Sequence, residues 1–139
     1  MSVQFPRPEF FEALRQRVAD DPDCMGSVDD CEAYCGFVIG ERLIVVEFDG
    51  RQCVAVVNGG NLLDLDFALA GTPETWQEMI SAILKHGGAD REHTLETLIE
   101  TNGLEIRSEA PDGTELARAA LSFLQAFLDQ AKHLEVQFE

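Results

Sequence analysis

The sequence has few basic residues. Its 139 residues include 10 lysines and arginines but 26 aspartates and glutamates, which gives a formal net charge of −16. Binding to nucleic-acid phosphates requires clustered lysine and arginine, so this shortage argues against a nucleic-acid partner. It also argues against docking on an anionic membrane surface. The negative charge would instead suit a basic protein partner, because complementary charges speed association.

Long apolar runs are also missing. No stretch approaches the roughly 18 apolar residues of a membrane-spanning helix, so we expect no stable membrane insertion. Residues 1–8 lack the basic and then apolar regions of a signal peptide. We therefore expect a cytoplasmic protein whose four cysteines stay reduced. With 45% apolar residues, the chain is predicted to form a single domain over 1–139.

Common catalytic and cofactor motifs are absent from the sequence. It has no G-x-S-x-G, no phosphate-binding P-loop and no G-x-G-x-x-G. Cys24, Cys31 and Cys35 do not have the C-x2-C spacing of a zinc site. The three histidines likewise lack a metal-binding spacing. We therefore predict no catalytic residue, no cofactor and no metal site from motifs.

An acidic segment over 21–32 partly matches the twelve-residue calcium loop. Acidic residues or glycine occupy template positions 1, 3, 6, 9 and 12, running from Asp21 to Glu32. Met25, at position 5, offers no side-chain oxygen, and the sequence that follows is strand-like rather than helical. A solvated acidic loop is therefore the preferred interpretation.

The first half of the chain predicts one helix and four strands. Over 8–20, Phe11, Leu14 and Val18 share one helical face, and Pro8 suits a first turn. Strand-like runs then predict an antiparallel meander over 34–39, 42–49, 51–58 and 62–70. In the fourth run alternation predicts one buried face, which carries Leu63, Leu65, Phe67 and Leu69.

The second half predicts three helices and one strand. Thr72-Pro73 begins a helix that Gly87-Gly88 ends. A short helix is predicted over 90–101, a fifth strand over 104–108 and a last helix over 113–132, where Asp112 and Glu115 resemble a capping box. The order α-β-β-β-β-α-α-β-α indicates an α+β fold. It would have a five-stranded, mainly antiparallel sheet covered on one face by helices.

Three stretches carry a resemblance to a known family. They are DLDFALAGTPETWQEMI over 64–80, NGLEIRS over 102–108 and ELARAALSFL over 115–124. Together with the element order, these stretches resemble the sterol-carrier-protein type-2 (SCP-2-like) lipid-binding and transfer family. The resemblance covers nearly the whole chain through topology and apolar spacing.

The resemblance implies a hydrophobic tunnel between the sheet and the helices. Such a tunnel would hold an acyl chain, a sterol or a terpenoid-like molecule, and a soluble carrier would be the corresponding function. The expected ligand-binding residues are apolar side chains of one strand and two helices: Leu65, Phe67, Leu69, Trp76, Met79, Ile83, Phe123 and Phe127.

Two other functions remain open. The chain could be an accessory or scaffold protein that presents a lipid-like intermediate to a biosynthetic enzyme, or that binds a basic protein, without catalysis of its own. It could also be an isomerase- or hydratase-type enzyme that uses Asp64, Asp66 or a histidine as base. An enzyme would place one of these groups, with a perturbed pKa, inside the cavity.

The acidic loop gives a first prediction. If 21–32 is only a solvated acidic loop, adding millimolar calcium leaves the melting temperature unchanged, because a ligand stabilises a protein only when it binds the folded state. Differential scanning fluorimetry with and without calcium tests this, with magnesium as the control. A rise in melting temperature with calcium alone would restore the calcium interpretation.

Overall fold

The computed structural model describes residues 2–26 and 28–138. In these ranges the strands are β1 (Ser2–Phe5), β2 (Cys31–Ile39), β3 (Arg42–Gly50), β4 (Gln52–Asn58), β5 (Phe67–Gly71), β6 (Leu104–Arg107) and β7 (Glu135–Phe138). The helices are α1 (Pro8–Asp20), α2 (Pro73–His86), α3 (Leu95–Glu100) and α4 (Gly113–Asp129). Three short 3-10 helices cover Pro22–Met25, Leu62–Asp64 and Gln130–His133.

The main sheet has five strands in the order β4-β3-β2-β5-β6. All neighbours are antiparallel except β2 and β5, which are parallel. Side chains of α1, α2 and α4 share one hydrophobic core with one face of this sheet. The predicted α+β class, with a mainly antiparallel sheet covered by helices on one face, is therefore confirmed. The predicted four-strand meander is wrong at its last strand, because β5 lies beside β2 and not beside β4.

Alternation along β2 separates the two faces of the sheet. Cys35, Phe37 and Ile39 point into the helix-side core and are almost fully buried. Gly36 lies on the other face, where a Cβ would come within 2.6 Å of Leu43 Cδ1. A larger residue at this position would require the Leu43 side chain, which packs over the strand backbone, to move.

The predicted strand over 62–70 is only half correct. Its first residues form a 3-10 helix, in which the Asn61 side chain accepts a hydrogen bond from Leu63 N at 3.0 Å. This side-chain bond offers the backbone an alternative to the sheet, so the alternation stops. Leu63 is consequently 69% exposed, and Leu65 packs on the face away from the helices. The prediction that both share a face with Phe67 is therefore wrong.

The helix boundaries follow their caps. Thr72 Oγ1 accepts a hydrogen bond from Thr75 N at 3.1 Å, and Gly87 ends α2 with a φ of +79°, both as predicted. Helix α3 is shorter than predicted because Thr94 caps it. The predicted capping box is wrong, since the Asp112 side chain accepts no hydrogen bond at the start of α4. In the described ranges, none of the helices combines the length and apolar character needed to cross a bilayer.

A second, two-stranded sheet joins the two ends of the described chain. This sheet was not among the predicted elements. Strands β1 and β7 pair in parallel, so that Val3-Gln4-Phe5 lies residue for residue beside Val136-Gln137-Phe138. The Phe5 and Phe138 rings meet edge to face, with centroids 6.0 Å apart. The repeated Val-Gln-Phe was the available sequence signal.

The close packing at the start of α4 gives a second prediction. A Cβ on Gly113 would overlap Ser108 Oγ and the backbone oxygen of Asp66. We therefore expect Gly113→Ala to lower the free energy of unfolding by about 1–3 kcal/mol, as overpacking does. Urea unfolding followed by circular dichroism measures this change.

The matched control is Gly88→Ala. Its Cβ would lie 3.7 Å from the nearest heavy atom, Asp129 Oδ2, which is an ordinary contact. We expect this variant to differ from the parent by no more than about 0.5 kcal/mol. Equal losses in the two variants would contradict the packing argument.

Candidate functional site

Seven of the eight predicted ligand-binding residues meet in one place. They lie between the sheet and the helices, and each is at most 2% exposed: Phe67, Leu69, Trp76, Met79, Ile83, Phe123 and Phe127. Leu65 does not join them. It belongs to a smaller cluster with Val45 and Ala68 on the opposite face of the sheet. Leu65 is thus removed from any wall that faces the helices.

Trp76 fixes helix α2 to the sheet. Its indole N–H donates a hydrogen bond to the backbone oxygen of Val38 at 2.9 Å. Its ring also meets Phe37 edge to face, with centroids 5.6 Å apart. A buried indole normally needs such a partner, since an unpaired N–H in the core costs free energy. Trp76 is therefore a fixed part of this core.

Helix α4 contacts the sheet through aromatic rings. Phe123 and Phe127 both lie edge to face against Phe48 of β3, with centroid distances of 5.1 Å and 5.0 Å. Met79, on α2, is fully buried in the same core. Its unbranched thioether can adopt many shapes, so it is the most adaptable of the predicted wall residues.

A groove lies beside this core, between α3 and α4. Its volume is about 360 Å³, and its floor includes Leu95, which is buried and part of the main core. The lining combines apolar and polar side chains: Val28, Thr94, Leu95, Glu96, Leu121, Ser122, Gln125, Ala126 and Asp129. Mixed linings of this kind are typical of sites that bury an apolar body and orient a polar group.

Two polar side chains of α4 connect this helix to the start of α3 and to the loop before it, at the edge of the groove. Gln125 Oε1 accepts a hydrogen bond from Leu95 N at 2.7 Å, and its Nε2 donates to Asp129 Oδ1 at 3.0 Å. Asp129 Oδ1 also accepts from Ala89 N at 3.2 Å. Neither residue was predicted from the sequence. Gln125 and Asp129 are four residues apart, so they lie on the same side of α4, beside its apolar stripe. This spacing was the sequence signal that could have identified them.

The candidate bases of the enzyme hypothesis lie outside the core. Asp64 is exposed, and Asp66 Oδ2 accepts a hydrogen bond from Tyr34 N at 2.9 Å. The ring nitrogen Nδ1 of His93 lies 2.5 Å from Asp90 Oδ1. The remaining two histidines, His86 and His133, are exposed. None of these five candidates contacts the space between the predicted wall residues.

An arginine side chain anchors the acidic loop. The Arg51 guanidinium donates to the backbone oxygens of Gly26 and Val28, both at 2.5 Å. Glu32 is an exposed residue of β2, and Ser27 lies outside the described residues. Over 2–26 and 28–138, no three histidine, cysteine or acidic side chains are placed together so that they could hold a metal ion.

The cysteines are shielded thiols. All four are free, and Cys31, Cys35 and Cys53 are buried, whereas Cys24 is half-buried. Burial raises the pKa of Cys31 to about 11 and that of Cys53 to about 12, and it raises the pKa of Cys35 well above the usual value. Because the thiolate is the reactive form, these three groups are poor nucleophiles at neutral pH.

Comparison with known proteins identifies the fold. No protein-family model and no curated protein sequence matches the chain. A crystal structure of sterol carrier protein 2 matches with a TM-score of 0.66 and 11% identity, covering 91% of this chain and 95% of that one. The solution structure of a conserved hypothetical protein from Thermus thermophilus matches with a TM-score of 0.54 and 11% identity, covering 92% and 85%.

A third structure extends the comparison. It is described as a UbiJ-SCP2 ubiquinone synthesis protein and matches with a TM-score of 0.53 and 14% identity, covering 91% of this chain and 88% of that one. The chain therefore has an SCP-2-like fold, as the sequence resemblance implied. Identities this low establish the fold alone.

The thiols give a third prediction, on reactivity. In the native protein at pH 8, iodoacetamide is expected to modify Cys24 first and to leave Cys31, Cys35 and Cys53 largely unmodified, because burial blocks access to them and disfavours their thiolates. Intact mass measured before and after denaturation counts the modified thiols. Rapid modification of more than one cysteine in the folded protein would contradict their burial.

A fourth prediction concerns alkaline pH. The folded pKa of Cys53 is about 12 against an ordinary 9, so the unfolded chain releases this proton first. The unfolding free energy is thus unaffected by this group below pH 9 and falls as pH rises from 9 toward 12, by up to about 1.4 kcal/mol per pH unit. Urea unfolding at pH 8.5 and 10.5 should show a smaller loss for Cys53→Ala than for the parent. An equal loss would contradict the raised pKa.

Proposed function

We propose that this chain, as one domain over 1–139, is a soluble cytoplasmic binder or carrier of an apolar small molecule. The observation that carries the proposal is the SCP-2-like arrangement, in which apolar side chains of the sheet and of α2 and α4 meet between the two layers, beside the groove between α3 and α4. The ligand classes that fit are an acyl chain, a sterol or a terpenoid-like molecule. The proposal requires no cofactor and no catalytic residue.

The proposed ligand space lies among seven wall residues: Phe67, Leu69, Trp76, Met79, Ile83, Phe123 and Phe127. In this structure their side chains fill the space, with the α4 rings in contact with Phe48. A ligand must therefore displace side chains as it enters, and Met79 can move most easily. Apolar area buried by the ligand contributes about 25 cal/mol per Å², less the cost of ordering.

Entry is proposed through the groove between α3 and α4. Helix α3 has only six residues, so moving it breaks few contacts and costs little free energy. Its start depends on the hydrogen bond from Leu95 N to Gln125, and the loop before it depends on the bond from Ala89 N to Asp129. When these two bonds open, the floor of the groove becomes accessible. The same polar groups could orient the ligand's head group after closure.

An accessory role is the second proposal. The UbiJ-SCP2 neighbour is described as a ubiquinone synthesis protein, which favours a form of the carrier that presents a lipid-like intermediate to an enzyme. The net charge of −16 would suit a basic partner. This role uses the same ligand space and adds a protein contact.

The test begins with native mass spectrometry of the detergent-free protein, followed by organic extraction. A stoichiometric co-purified lipid or terpenoid supports the proposal and identifies the ligand class. Titration with a dibrominated fatty acid is the second measurement, since bromine quenches an indole on contact and Trp76 is the one tryptophan of the sequence. We expect saturable quenching at one ligand per chain.

A pair of variants tests the entry route. Gln125→Ala removes the hydrogen bond to Leu95 N, so ligand exchange followed by Trp76 quenching should become faster by roughly tenfold, the equivalent of about 1.4 kcal/mol. Gln77→Ala, on the exposed side of α2, is the control and should leave the rate unchanged. The carrier proposal would be overturned if the native mass were that of the protein alone and the brominated fatty acid did not quench Trp76 fluorescence.

A further inference from the structure

The face of the sheet that points away from the helices is exposed and apolar in part. The large apolar side chains with the greatest exposure in the described residues are Tyr34 at 36%, Val54 at 44%, Val57 at 49% and Leu63 at 69%. Tyr34 and Val57 lie on this face, Val54 lies at the bulge of the edge strand β4, and Leu63 lies in the turn that crosses the face. Of these four, Tyr34 and Val57 are the two whose side chains lie on the open face itself.

Strand register shows how the apolar part is built. Val57, Val45, Gly36 and Ala68 lie side by side across β4, β3, β2 and β5. Leu65 packs against Val45 and Ala68 from the turn above the sheet. Only the outer end of this band, at Val57, stays open to solvent.

One end of the same face is acidic. Glu47 lies opposite Tyr34, and Asp49 lies opposite Glu32, two residues further along the paired strands. All three carboxylates are exposed. In the described ranges, no lysine, arginine or histidine forms an ion pair with any of them.

This arrangement is unfavourable for the isolated chain. Like charges directly opposite each other on paired strands destabilise the sheet, and Glu32 and Asp49 are such a pair. Tyr34 adjoins them with its ring partly exposed. A cation supplied from outside would relieve the repulsion and could also bind the aromatic ring.

We propose that this surface docks a basic, amphipathic segment of another protein. The open-face surface comprises Glu32, Tyr34, Glu47, Asp49 and Val57. Lysine or arginine side chains of the partner bind the carboxylates, and its apolar side chains cover Tyr34 and Val57. Tyrosine is a frequent anchor in protein interfaces.

The proposal concerns the partner of the accessory role, yet it does not depend on ligand binding. The open-face surface lies on the opposite side of the sheet from the proposed ligand space. A second copy of the chain is disfavoured as the occupant. Each copy carries a net charge of −16, and pairing two such faces would bring their carboxylates together.

The test uses a synthetic twelve-residue peptide of alternating lysine and valine, with a glutamate-valine peptide as the control. Amide NMR spectra of the full chain are recorded during titration with each. We expect the basic peptide to shift the resonances of Tyr34, Glu47 and Val57, and the acidic peptide to shift none of them. Shifts spread evenly over the acidic surface, or centred on the helices, would overturn the proposal.

Matched variants separate a specific site from general attraction. Tyr34→Ala and the double variant Glu47→Gln/Asp49→Asn should each weaken the basic peptide at least about fivefold, the equivalent of about 1 kcal/mol. Glu74→Gln/Glu78→Gln removes the same charge from exposed positions of α2 and should leave affinity within about twofold. If both double variants weakened the affinity for the basic peptide equally, binding would depend on net charge alone. That result would overturn the proposed site.

Two further measurements are independent of the peptide. Asp49→Asn should raise the melting temperature by about 1–3 °C, because it relieves the repulsion with Glu32. A lower melting temperature would show that the carboxylate is needed by the fold and would overturn the electrostatic argument. In sedimentation, a dimer that Tyr34→Ala abolishes would assign the surface to a second copy and overturn the proposed partner.

Discussion

A continuous series of aromatic contacts connects the layers of this molecule. Rings from the terminal strands, α1, β2 and α2 touch in sequence, with centroids 5.0–6.0 Å apart: Phe138, Phe5, Phe10, Phe11, Phe37 and Trp76. Aromatic pairs contribute energy beyond their buried area and favour particular angles. The position of α2, and thus of the proposed ligand space, depends on this series. In the proposed carrier, a ligand would enter beside this series without breaking it, so Met79 and α4 would be the parts that adapt.

The sequence indicated most of the elements, because their signals are local. Caps such as Thr72 and Gly87, and the apolar stripe of α1, act within one or two turns. The parallel pairing of β5 with β2 has no local sequence signal, because it depends on packing between residues that are distant in the sequence. The strand prediction over 62–70 failed for a local reason that was visible only in the structure. The Asn61 side chain competes with the sheet for a backbone N–H.

The sequence predicted most of the residues of the candidate site, but only part of how they are arranged. Apolar spacing along α2 and α4 correctly selected side chains of the helix-side core, but alternation assigns a face only within an unbroken strand. That is why Leu65 was placed on the wrong side of the sheet. Gln125 and Asp129 were missed because their role depends on the position of α3, which sequence spacing does not reveal. The acidic pair Glu32 and Asp49 likewise becomes visible only once strand register is known.

The pairing of β1 with β7 has a consequence for how the chain folds. Contacts between residues 2–5 and 135–138 close a loop of nearly the entire chain. A two-stranded sheet is marginal by itself, so this pair forms only after the core that holds Phe5 is in place. Because the Phe10 and Phe11 rings of α1 also hold Phe5, β1 stays anchored without β7, whereas β7 loses its partner strand without β1. A change near residues 2–5 is therefore transmitted to residues 135–138 without passing through the central sheet.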